Sequence, residues 1–218
     1  MPKNTPMGVT EVVDALRQSI VDHELPPGSK LRETRLAEEF GVSRPRLREA
    51  FGILEERGLI ERIPNQGAVV SRLTADQIKS LFDVREVLEA LAVRLATENA
   101  PPGAWDELRE RFGEPAETAL ADNDLNFYVE SVNMFRHQSF REARNEVLSQ
   151  SLDVLYDRSR VLIRRLVLVP GRAKAGMLQH REILDAMIAG RAEEAEALKR
   201  ENIRSARAWF SEYAKFLL

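Results

Sequence analysis

Residues 31–51 read LRETRLAEEFGVSRPRLREAF, and this stretch decides the fold of the first part of the chain. It predicts a short helix, a turn at Gly41 and a second helix that opens at Ser43. Ser43 is a favourable N-cap, and Pro45 is tolerated within the first helical turn. The apolar residues of the second helix recur at helical spacing, at Leu47, Ala50, Phe51 and Leu54. The pattern therefore predicts a helix-turn-helix whose second helix buries one face.

Three arginines lie close together at the start of this second helix. Arg44 and Arg48 are four residues apart on one flank of the apolar stripe, and Arg46 lies on the other flank. A guanidinium group donates paired hydrogen bonds that match phosphates and guanine edges. The stretch alone leaves two interpretations open, a DNA-reading surface and an ordinary solvated basic face.

The flanking sequence favours the first interpretation. Residues 59–63 and 68–73 have the composition of two strands, and the turn-rich residues 64–67 join them. Upstream, residues 12–21 carry apolar side chains at helical spacing and are followed by the turn-forming residues 26–28. A helix, a helix-turn-helix and a hairpin together describe a winged helix, which presents the second helix of the pair to the major groove.

Residues 26–70 resemble the DNA-binding domain of the GntR family of bacterial transcription regulators. They read PPGSKLRETRLAEEFGVSRPRLREAFGILEERGLIERIPNQGAVV and keep the family framework PG-x-x-L, LA-x-x-x-GVSR, RE-A, L-x-x-x-GL and G-x-x-V with its spacing. The resemblance implies that Arg44 and Arg48 contact bases and phosphates. It also implies that the wing tip, Gln66 and Gly67, enters the minor groove.

The sequence departs from the common family motif SRTPVREAL in one respect. Here the proline, Pro45, stands one place earlier and Arg46 is an additional arginine, so operator preference is expected to differ from that of relatives. Thr34 has two open interpretations, a phosphate contact beside free helix amides or a simple helix cap. The predicted DNA-binding residues are Thr34, Ser43, Arg44, Pro45, Arg46, Arg48, Gln66 and Gly67.

Composition bounds the class of protein. The 218 residues suit two domains, which we place at 1–73 and 74–218. Cysteine is absent, which excludes disulfides and thiolate metal sites. No apolar run approaches the roughly 20 residues of a membrane span, so a cytoplasmic protein without membrane contact is expected. Residues 1–72 carry eleven basic and eleven acidic side chains, so the DNA signal is local clustering rather than bulk charge.

After a short linker at residues 71–75, the sequence reads as helix to its end, with breaks at residues 100–103, 170–171 and 190. Periodicity alone predicts an all-α bundle. The segments VREVLEALAVRLA, LNFYVESVNMF and HREILDAMIAGRAEEA resemble the FCD effector domain of the FadR subfamily. The fold class is therefore mainly α, with an N-terminal winged helix-turn-helix, a small β-hairpin wing and a C-terminal bundle. The resemblance implies that the bundle dimerises and senses a ligand.

Four polar residues interrupt the apolar stripes of this bundle: Arg85, Arg136, His180 and Asn202. An unpaired charge in a bundle core costs several kcal/mol, so each needs a partner or a wet cavity. For Arg85 we prefer pairing with Glu89 one turn on. For the other three we prefer convergence on a ligand cavity.

Many FCD domains hold a divalent metal through an Asp and a His in the motif D-x-x-F-H and through two further histidines. The resemblance places Val132, Arg136 and Asn202 at three of these positions, and only His180 matches. First-row metals need at least three N, O or S donors, and a guanidinium repels a cation. We therefore expect no metal and no other cofactor, although a metal-dependent regulator with a non-standard site is the alternative.

In place of a metal, Arg136 supplies a permanent positive charge and a bidentate fork for the carboxylate of a small organic acid. His180 and Asn202 are expected to donate hydrogen bonds to the same ligand, beside Val132 and Arg85. Tyr156, Arg160 and Arg164 share one helix face and either add charge to the cavity or form a solvated surface.

The predicted function is a ligand-responsive regulator, a repressor, that binds a short palindrome in double-stranded DNA as a homodimer. An enzyme is a rejected alternative, because the chain has only three histidines and no Gly-rich phosphate loop. A DNA-binding architectural protein without an effector is the second alternative; it would have a filled bundle core.

Overall fold

The computed structural model describes residues 7–22 and 24–217, with the side chains of residues 160 and 161 left out of that description. The chain forms two compact units. The first unit comprises the residues up to Leu73 together with Tyr156–Val161, and the second comprises Thr74–Leu155 and Leu162–Leu218. Each unit is described separately below.

The first unit is a winged helix-turn-helix, as predicted. Its elements are α1 (Val9–Val21), α2 (Glu33–Glu39), α3 (Arg44–Glu56), β1 (Ile60–Ile63) and β2 (Gly67–Val70). The two strands are antiparallel, in a register that pairs Ile60 with Val70 and Ile63 with Gly67. A bridge between Lys30 and Val69 extends the sheet on the other side of β2. The apolar face of α3 is buried as predicted, at Leu47, Ala50, Phe51 and Leu54.

The turn before α3 explains why this helix begins where it does. Gly41 adopts a φ of +64°, a left-handed conformation that glycine reaches without steric cost. Ser43 then caps the helix, because its Oγ accepts a hydrogen bond from the backbone N–H of Arg46 at 3.4 Å. Pro45 lies in the first turn of α3, where the missing N–H has no helical partner to lose.

Three details of the first unit differ from expectation. The capping interpretation of Thr34 is wrong, because α2 begins at Glu33 and its N-cap is Arg32, which leaves Thr34 exposed within the first turn. Helix α1 begins at Val9 rather than Val12, since the N–H of the N-cap residue Gly8 donates to Oε2 of Glu11 in the first turn at 2.6 Å. Strand β2 ends at Val70, three residues earlier than predicted.

The second unit consists of helices throughout its described part. They are α4 (Ala75–Asn99), α5 (Asp106–Arg111), α6 (Glu114–Ala121), α7 (Leu125–Glu142), α8 (Glu146–Val167, apart from its residues Tyr156–Val161, which belong to the first unit), α9 (Arg172–Ile188) and α10 (Ala192–Leu217). Gly113 separates α5 from α6, and Pro115 lies in the first turn of α6. Helix α10 packs along both α4 and α9. None of the described helices is long and apolar enough to cross a bilayer.

Candidate functional site

The start of α3 presents two exposed arginines on one flank. The side chains of Arg44 and Arg48 are 59% and 56% exposed. Oε2 of Glu33, the first residue of α2, accepts a hydrogen bond from Nε of Arg48 at 2.8 Å and lies 3.8 Å from Nη2 of Arg44. One carboxylate therefore faces two guanidinium groups, which keeps both arginines on the same side of α3 and leaves that surface positively charged.

Arg46 is placed differently from the other two arginines. Its side chain is half-buried, and Nη1 donates to the backbone carbonyl of Met7 at 3.2 Å. The structure therefore does not bring Arg46 together with Arg44 and Arg48. A DNA contact by Arg46 would use the N–H groups of its guanidinium that do not bond to Met7.

The wing tip is exposed and conformationally specialised. Gln66 and Gly67 are both exposed, and Gly67 has a φ of +82° next to Asn65, which has a φ of +64°. No atom lies within 4 Å of the position that a Cβ on Gly67 would occupy, so the backbone angle rather than crowding favours glycine. The side chains of Thr34, Ser43 and Pro45 are also exposed.

A buried ion cluster lies in the second unit, around the carboxylate of Glu89. Nε of Arg85 donates to its Oε1 at 2.8 Å, which confirms the predicted pairing of these two residues. Nζ of Lys199 lies 3.0 Å from its Oε2 and also donates to Oδ1 of Asn202 at 3.2 Å. All four residues are less than a tenth exposed. Helices α4 and α10 thus share a charged core in which Glu89 bridges two cations.

His180 on α9 lies beside this cluster with a defined orientation. Nδ1 is 2.7 Å from the carbonyl oxygen of Gly176, and a carbonyl only accepts, so Nδ1 carries the proton. Nε2 is then unprotonated and can only accept a hydrogen bond. It is buried and has no hydrogen-bond partner among the described residues. Burial, and next the charge of Lys199, lower the pKa of His180 to about 3, so the ring is neutral. The ring stacks on Phe112, with 5.0 Å between centroids, and meets the edge of Phe135 at 5.1 Å.

Arg172, the first residue of α9, is a second buried group with an unsatisfied atom. It is 8% exposed, and its Nη1 has no hydrogen-bond partner within the described part of the chain. Burial lowers its pKa, while the nearby Tyr128 opposes that change. Burial in turn raises the pKa of Tyr128 to about 12.

Gly176 makes room for both of these side chains. A Cβ at residue 176 would overlap with the hydroxyl oxygen of Tyr128 and would lie 2.8 Å from Nη1 of Arg172. The absence of a side chain at this position therefore lets Arg172 and Tyr128 meet against α9, one turn before His180.

The electrostatics of this region favour an anion. Arg85, Arg172 and Lys199 are three buried cations, and Glu89 is the carboxylate that faces two of them. Burial is the main cause that lowers the pKa of Lys199, and Glu89 is the main group that raises it. Because burying surplus charge is costly, an anionic group placed here would be stabilised by the cations it meets. We call Arg85, Glu89, Arg172, His180, Lys199 and Asn202 the polar cluster.

The structure brings together some of the predicted ligand-binding residues but not all. Arg85, His180 and Asn202 belong to the polar cluster, and Nδ2 of Asn202 also donates to Oε1 of Gln179 at 2.9 Å. Arg136 on α7 is buried, and its Nη2 donates to Nε2 of His137 at 3.1 Å. Val132, one turn earlier on the same helix, is half-buried.

The three ligand-binding residues predicted on α8, Tyr156, Arg160 and Arg164, are not among the members of the polar cluster. Tyr156 is buried and belongs to the segment Tyr156–Val161, which is part of the first unit. Arg164 is exposed. The side chain of Arg160 lies outside the described residues.

Sequence reasoning missed Lys199 and Arg172. Lys199 continues the apolar stripe of α10, between Ala195 and Asn202, so the same periodicity that indicated Asn202 could have found it. Arg172 directly follows Gly171 at the start of α9, where a basic residue has no unusual signature. The expected donor role of His180 is reversed, since its buried Nε2 is an acceptor.

The residues present do not fit a divalent metal. Within residues 7–22 and 24–217, no group of three or more His, Cys, Asp or Glu side chains could hold one. The lone pair of His180 faces a region whose carboxylate, Glu89, already contacts two cations, and the ammonium of Lys199 would repel a metal ion.

A separate cavity of about 680 Å³ lies between the end of α6, the turn from α8 to α9 and the first turns of α9. Its walls are mostly apolar, and Lys174 and Glu117 lie at its edge. None of the predicted ligand-binding residues lines it, so we do not assign it to the effector.

A winged helix with exposed arginines on its recognition helix, followed by a helical bundle with a charged core, defines a two-domain DNA-binding protein. Residues 9–70 match the family described as bacterial regulatory proteins, gntR family, and residues 80–205 match the FCD domain. The chain belongs to the GntR family, in its FCD-containing form. It is a transcriptional regulator and not an enzyme.

Relatives and solved structures agree with this assignment. The chain is 30% identical over 188 residues to the probable D-xylose utilization operon transcriptional repressor of Paenarthrobacter nicotinovorans, covering 86% of this chain and 81% of that protein. It is 31% identical over 123 residues to the uncharacterized HTH-type transcriptional regulator YdhC of Bacillus subtilis, covering 56% of this chain and only 54% of that relative.

The fold is shared with solved regulators at lower identity. The structure of McbR/YncC from E. coli aligns with a TM-score of 0.77 at 24% identity, over 94% of this chain and 98% of that one. A GntR-type putative regulator from Rhodococcus sp. RHA1 aligns with a TM-score of 0.73 at 24% identity, over 94% and 97%. At this identity the similarity shows the fold alone.

Proposed function

We propose that this protein is a cytoplasmic, effector-responsive repressor that binds a palindromic operator as a homodimer. A small anionic metabolite in the helical bundle is proposed to weaken operator binding. The expected domain division, 1–73 for DNA binding and 74–218 for the effector and dimerisation, is part of this proposal.

One observation carries the effector role, the surplus of buried positive charge in the polar cluster. Arg85, Arg172 and Lys199 are buried, and Nη1 of Arg172 lacks a hydrogen-bond partner among the described residues. A buried donor without a partner costs about 1–3 kcal/mol, and more when it is charged. A bound anion would remove that cost, whereas a purely structural core would gain nothing by keeping it.

The DNA-binding role is supported by the surfaces of α3 and the wing. Arg44 and Arg48 are exposed on one flank of the recognition helix, and Gln66 and Gly67 lie exposed at the wing tip. Thr34 lies in the first turn of α2, where free backbone amides suit a phosphate. A repressor is proposed because the relative in Paenarthrobacter nicotinovorans is named as one.

A homodimer is supported by exposed apolar side chains on α8. Val147 is 75% exposed and Val154 is 41% exposed, and their spacing of seven residues places them on one face. A dimer would cover such a stripe and would bring two recognition helices to the two halves of a palindrome. Sedimentation equilibrium tests the stoichiometry, and a monomer at micromolar concentration would contradict this part of the proposal.

The whole proposal is tested by combining operator selection with a ligand screen. Selection from random DNA should yield a palindrome, and thermal-shift screening of small carboxylic, sugar and fatty acids should find acids that stabilise the protein. Those acids should also weaken binding to the selected operator. Operator binding without any stabilising acid would favour an architectural DNA-binding protein.

Arg136 is proposed as an anion anchor on α7. We expect Arg136→Ala to abolish the response of operator binding to the acid found in the screen while leaving DNA affinity without ligand nearly unchanged. A tenfold response corresponds to about 1.4 kcal/mol of differential binding, which one charge-assisted bidentate contact can supply. Arg141→Ala, on an exposed arginine of the same helix that pairs only at the surface with Glu142, is the control. An unchanged midpoint for Arg136→Ala would show that Arg136 is structural.

Metal independence is a further expected outcome. Because the polar cluster offers one histidine lone pair beside an ammonium group, purified protein should carry no stoichiometric zinc, nickel or manganese. Chelators should leave its melting temperature unchanged. Elemental analysis that finds one tightly held metal ion per chain would contradict this reading of Val132, Arg136 and Asn202.

A further inference from the structure

We infer that Asp157, on the segment of α8 that belongs to the first unit, is a positioning residue for operator binding and sets the half-site spacing that the protein accepts. The inference rests on the proposed homodimer and palindrome. It goes further, because it assigns the spacing preference to one carboxylate that lies outside the helix-turn-helix. Arg17 and Arg57 are the residues through which Asp157 acts.

The first step is the environment of the Asp157 carboxylate. Its Oδ1 lies 3.3 Å from Nη1 of Arg17, and its Oδ2 accepts a hydrogen bond from Nη1 of Arg57 at 3.0 Å. The Asp157 side chain is 6% exposed, whereas those of Arg17 and Arg57 are 31% and 37% exposed. A carboxylate buried this deeply needs charged partners, and here each of its oxygens meets one. The contact therefore depends on the negative charge of Asp157.

The second step is the place of these two arginines in the first unit. Arg57 is the C-cap of α3, and Arg17 lies on α1, which packs against α3. Arg158 adds a contact beside them, since a Cβ on Gly58 would lie 2.9 Å from its Nε. The segment of α8 therefore meets the recognition helix at its C-terminal end. The DNA-reading arginines lie at the other end, roughly 20 Å away for a helix of this length.

The third step is the continuity of α8. It is a single helix, Glu146–Val167, of which only residues 156–161 belong to the first unit and the remainder belongs to the second. The first unit also continues into α4 through residues 71–74. A short connection of this kind acts as a hinge, because its φ and ψ torsions can rotate. A second attachment, made through Asp157, removes that freedom.

The fourth step is the geometry of a palindrome. Each added base pair shifts one half-site by about 3.4 Å and rotates it by roughly 35° about the DNA axis. Two recognition helices that are held rigidly engage both half-sites at one spacing, and the gain from the second half-site is lost at other spacings. Recognition helices on a hinge can follow the shift. The contacts of Asp157 thus set the spacing, while α3 sets the base preference.

The test measures the affinity of the full chain for a series of operators. The series keeps both selected half-sites and changes the spacer between them by one and by two base pairs in each direction. We expect the wild-type protein to lose about tenfold or more in affinity when the spacer changes by one base pair. Asp157→Asn keeps the size of the side chain and removes its charge, so its affinity should vary much less across the series. Asp153→Asn, on an exposed aspartate one turn earlier on α8, is the matched control and should keep the wild-type profile.

Two further measurements separate positioning from folding. Selection of half-site sequences should return the same bases for Asp157→Asn as for the wild-type protein, and circular dichroism should show the same helix content. The double variant Arg17→Gln/Arg57→Gln should flatten the spacing profile in the same way. Adding Asp157→Asn to that double variant should have no further effect, because the three side chains act through one contact. The double variant also provides the comparison if Asp157→Asn does not fold.

The outcomes are distinct. A flattened spacing profile with unchanged half-site bases in Asp157→Asn supports the inference. A profile as sharp as that of the wild type in the folded variant overturns the inference and leaves the proposed dimer and palindrome intact. Loss of the half-site bases together with the spacing preference also overturns it, since Asp157 would then shape the reading surface itself. If the wild-type protein binds single half-sites as tightly as palindromes, the proposed dimeric binding is wrong and the inference falls with it.

Discussion

Replacing Arg44 and Arg48 together by alanine is expected to weaken operator binding by at least about 30-fold. Each arginine that contacts a base contributes about 1–3 kcal/mol, and every 1.4 kcal/mol is a factor of ten. Both side chains are more than half exposed on one flank of α3, so they reach DNA without rearrangement of the core. Fluorescence anisotropy with the selected operator measures the loss at fixed salt concentration.

The single variants distinguish base reading from phosphate contact. If Arg44 reads a base, Arg44→Ala should relax the sequence preference at one position in each half-site, whereas a phosphate contact should weaken all sequences alike. Arg109→Ala is the matched control, since this arginine of α5 is also 59% exposed and forms one ion pair, with Asp185 at 2.6 Å. Operator affinity like that of the wild type in the double variant would refute the assignment of the recognition helix.

The first unit could be predicted closely because local sequence determines it. The spacing of Leu47, Ala50, Phe51 and Leu54 places all four on one buried face only if the segment is a helix. Ser43 caps that helix and so sets where it begins. The boundaries that shifted were those that depend on single hydrogen bonds. The hydrogen bond from Gly8 N–H to Glu11 lengthened α1, and the N-cap at Arg32 excluded Thr34 as the cap.

The polar cluster was predictable only in part, because its members lie on three helices, α4, α9 and α10, that are far apart in sequence. Periodicity showed that Arg85, His180 and Asn202 interrupt apolar faces, and the pairing of Arg85 with Glu89 followed from their spacing. The contact between Lys199 and Glu89 joins residues far apart in sequence, so no local pattern contains it. The acceptor role of His180 depends on which carbonyl its ring meets, and only the structure shows that this is Gly176.

Glu89→Ala is expected to reduce the free energy of unfolding of the helical unit by about 3–5 kcal/mol. Removing one partner of a buried ion pair leaves the other charge uncompensated, and here two cations, Arg85 and Lys199, would lose the carboxylate that they share. Urea denaturation followed by circular dichroism measures the loss, with the analysis restricted to the transition of the helical unit because a chain with two domains need not unfold in one step.

Helix α4 supplies its own control for this prediction. Arg94 and Glu98 repeat the spacing and atoms of the buried pair, with Nε of Arg94 3.0 Å from Oε1 of Glu98, but the two side chains are 42% and 43% exposed. Solvent screens such a pair, so Glu98→Ala should cost far less than Glu89→Ala. The two variants share helix, spacing and pair chemistry, and they differ in burial and in the second partner, since Glu89 also holds Lys199 whereas Arg94 keeps Glu196. If Glu89→Ala costs no more than Glu98→Ala, water must reach Arg85 and Lys199, and the polar cluster is then not the closed, charged core on which the effector proposal depends.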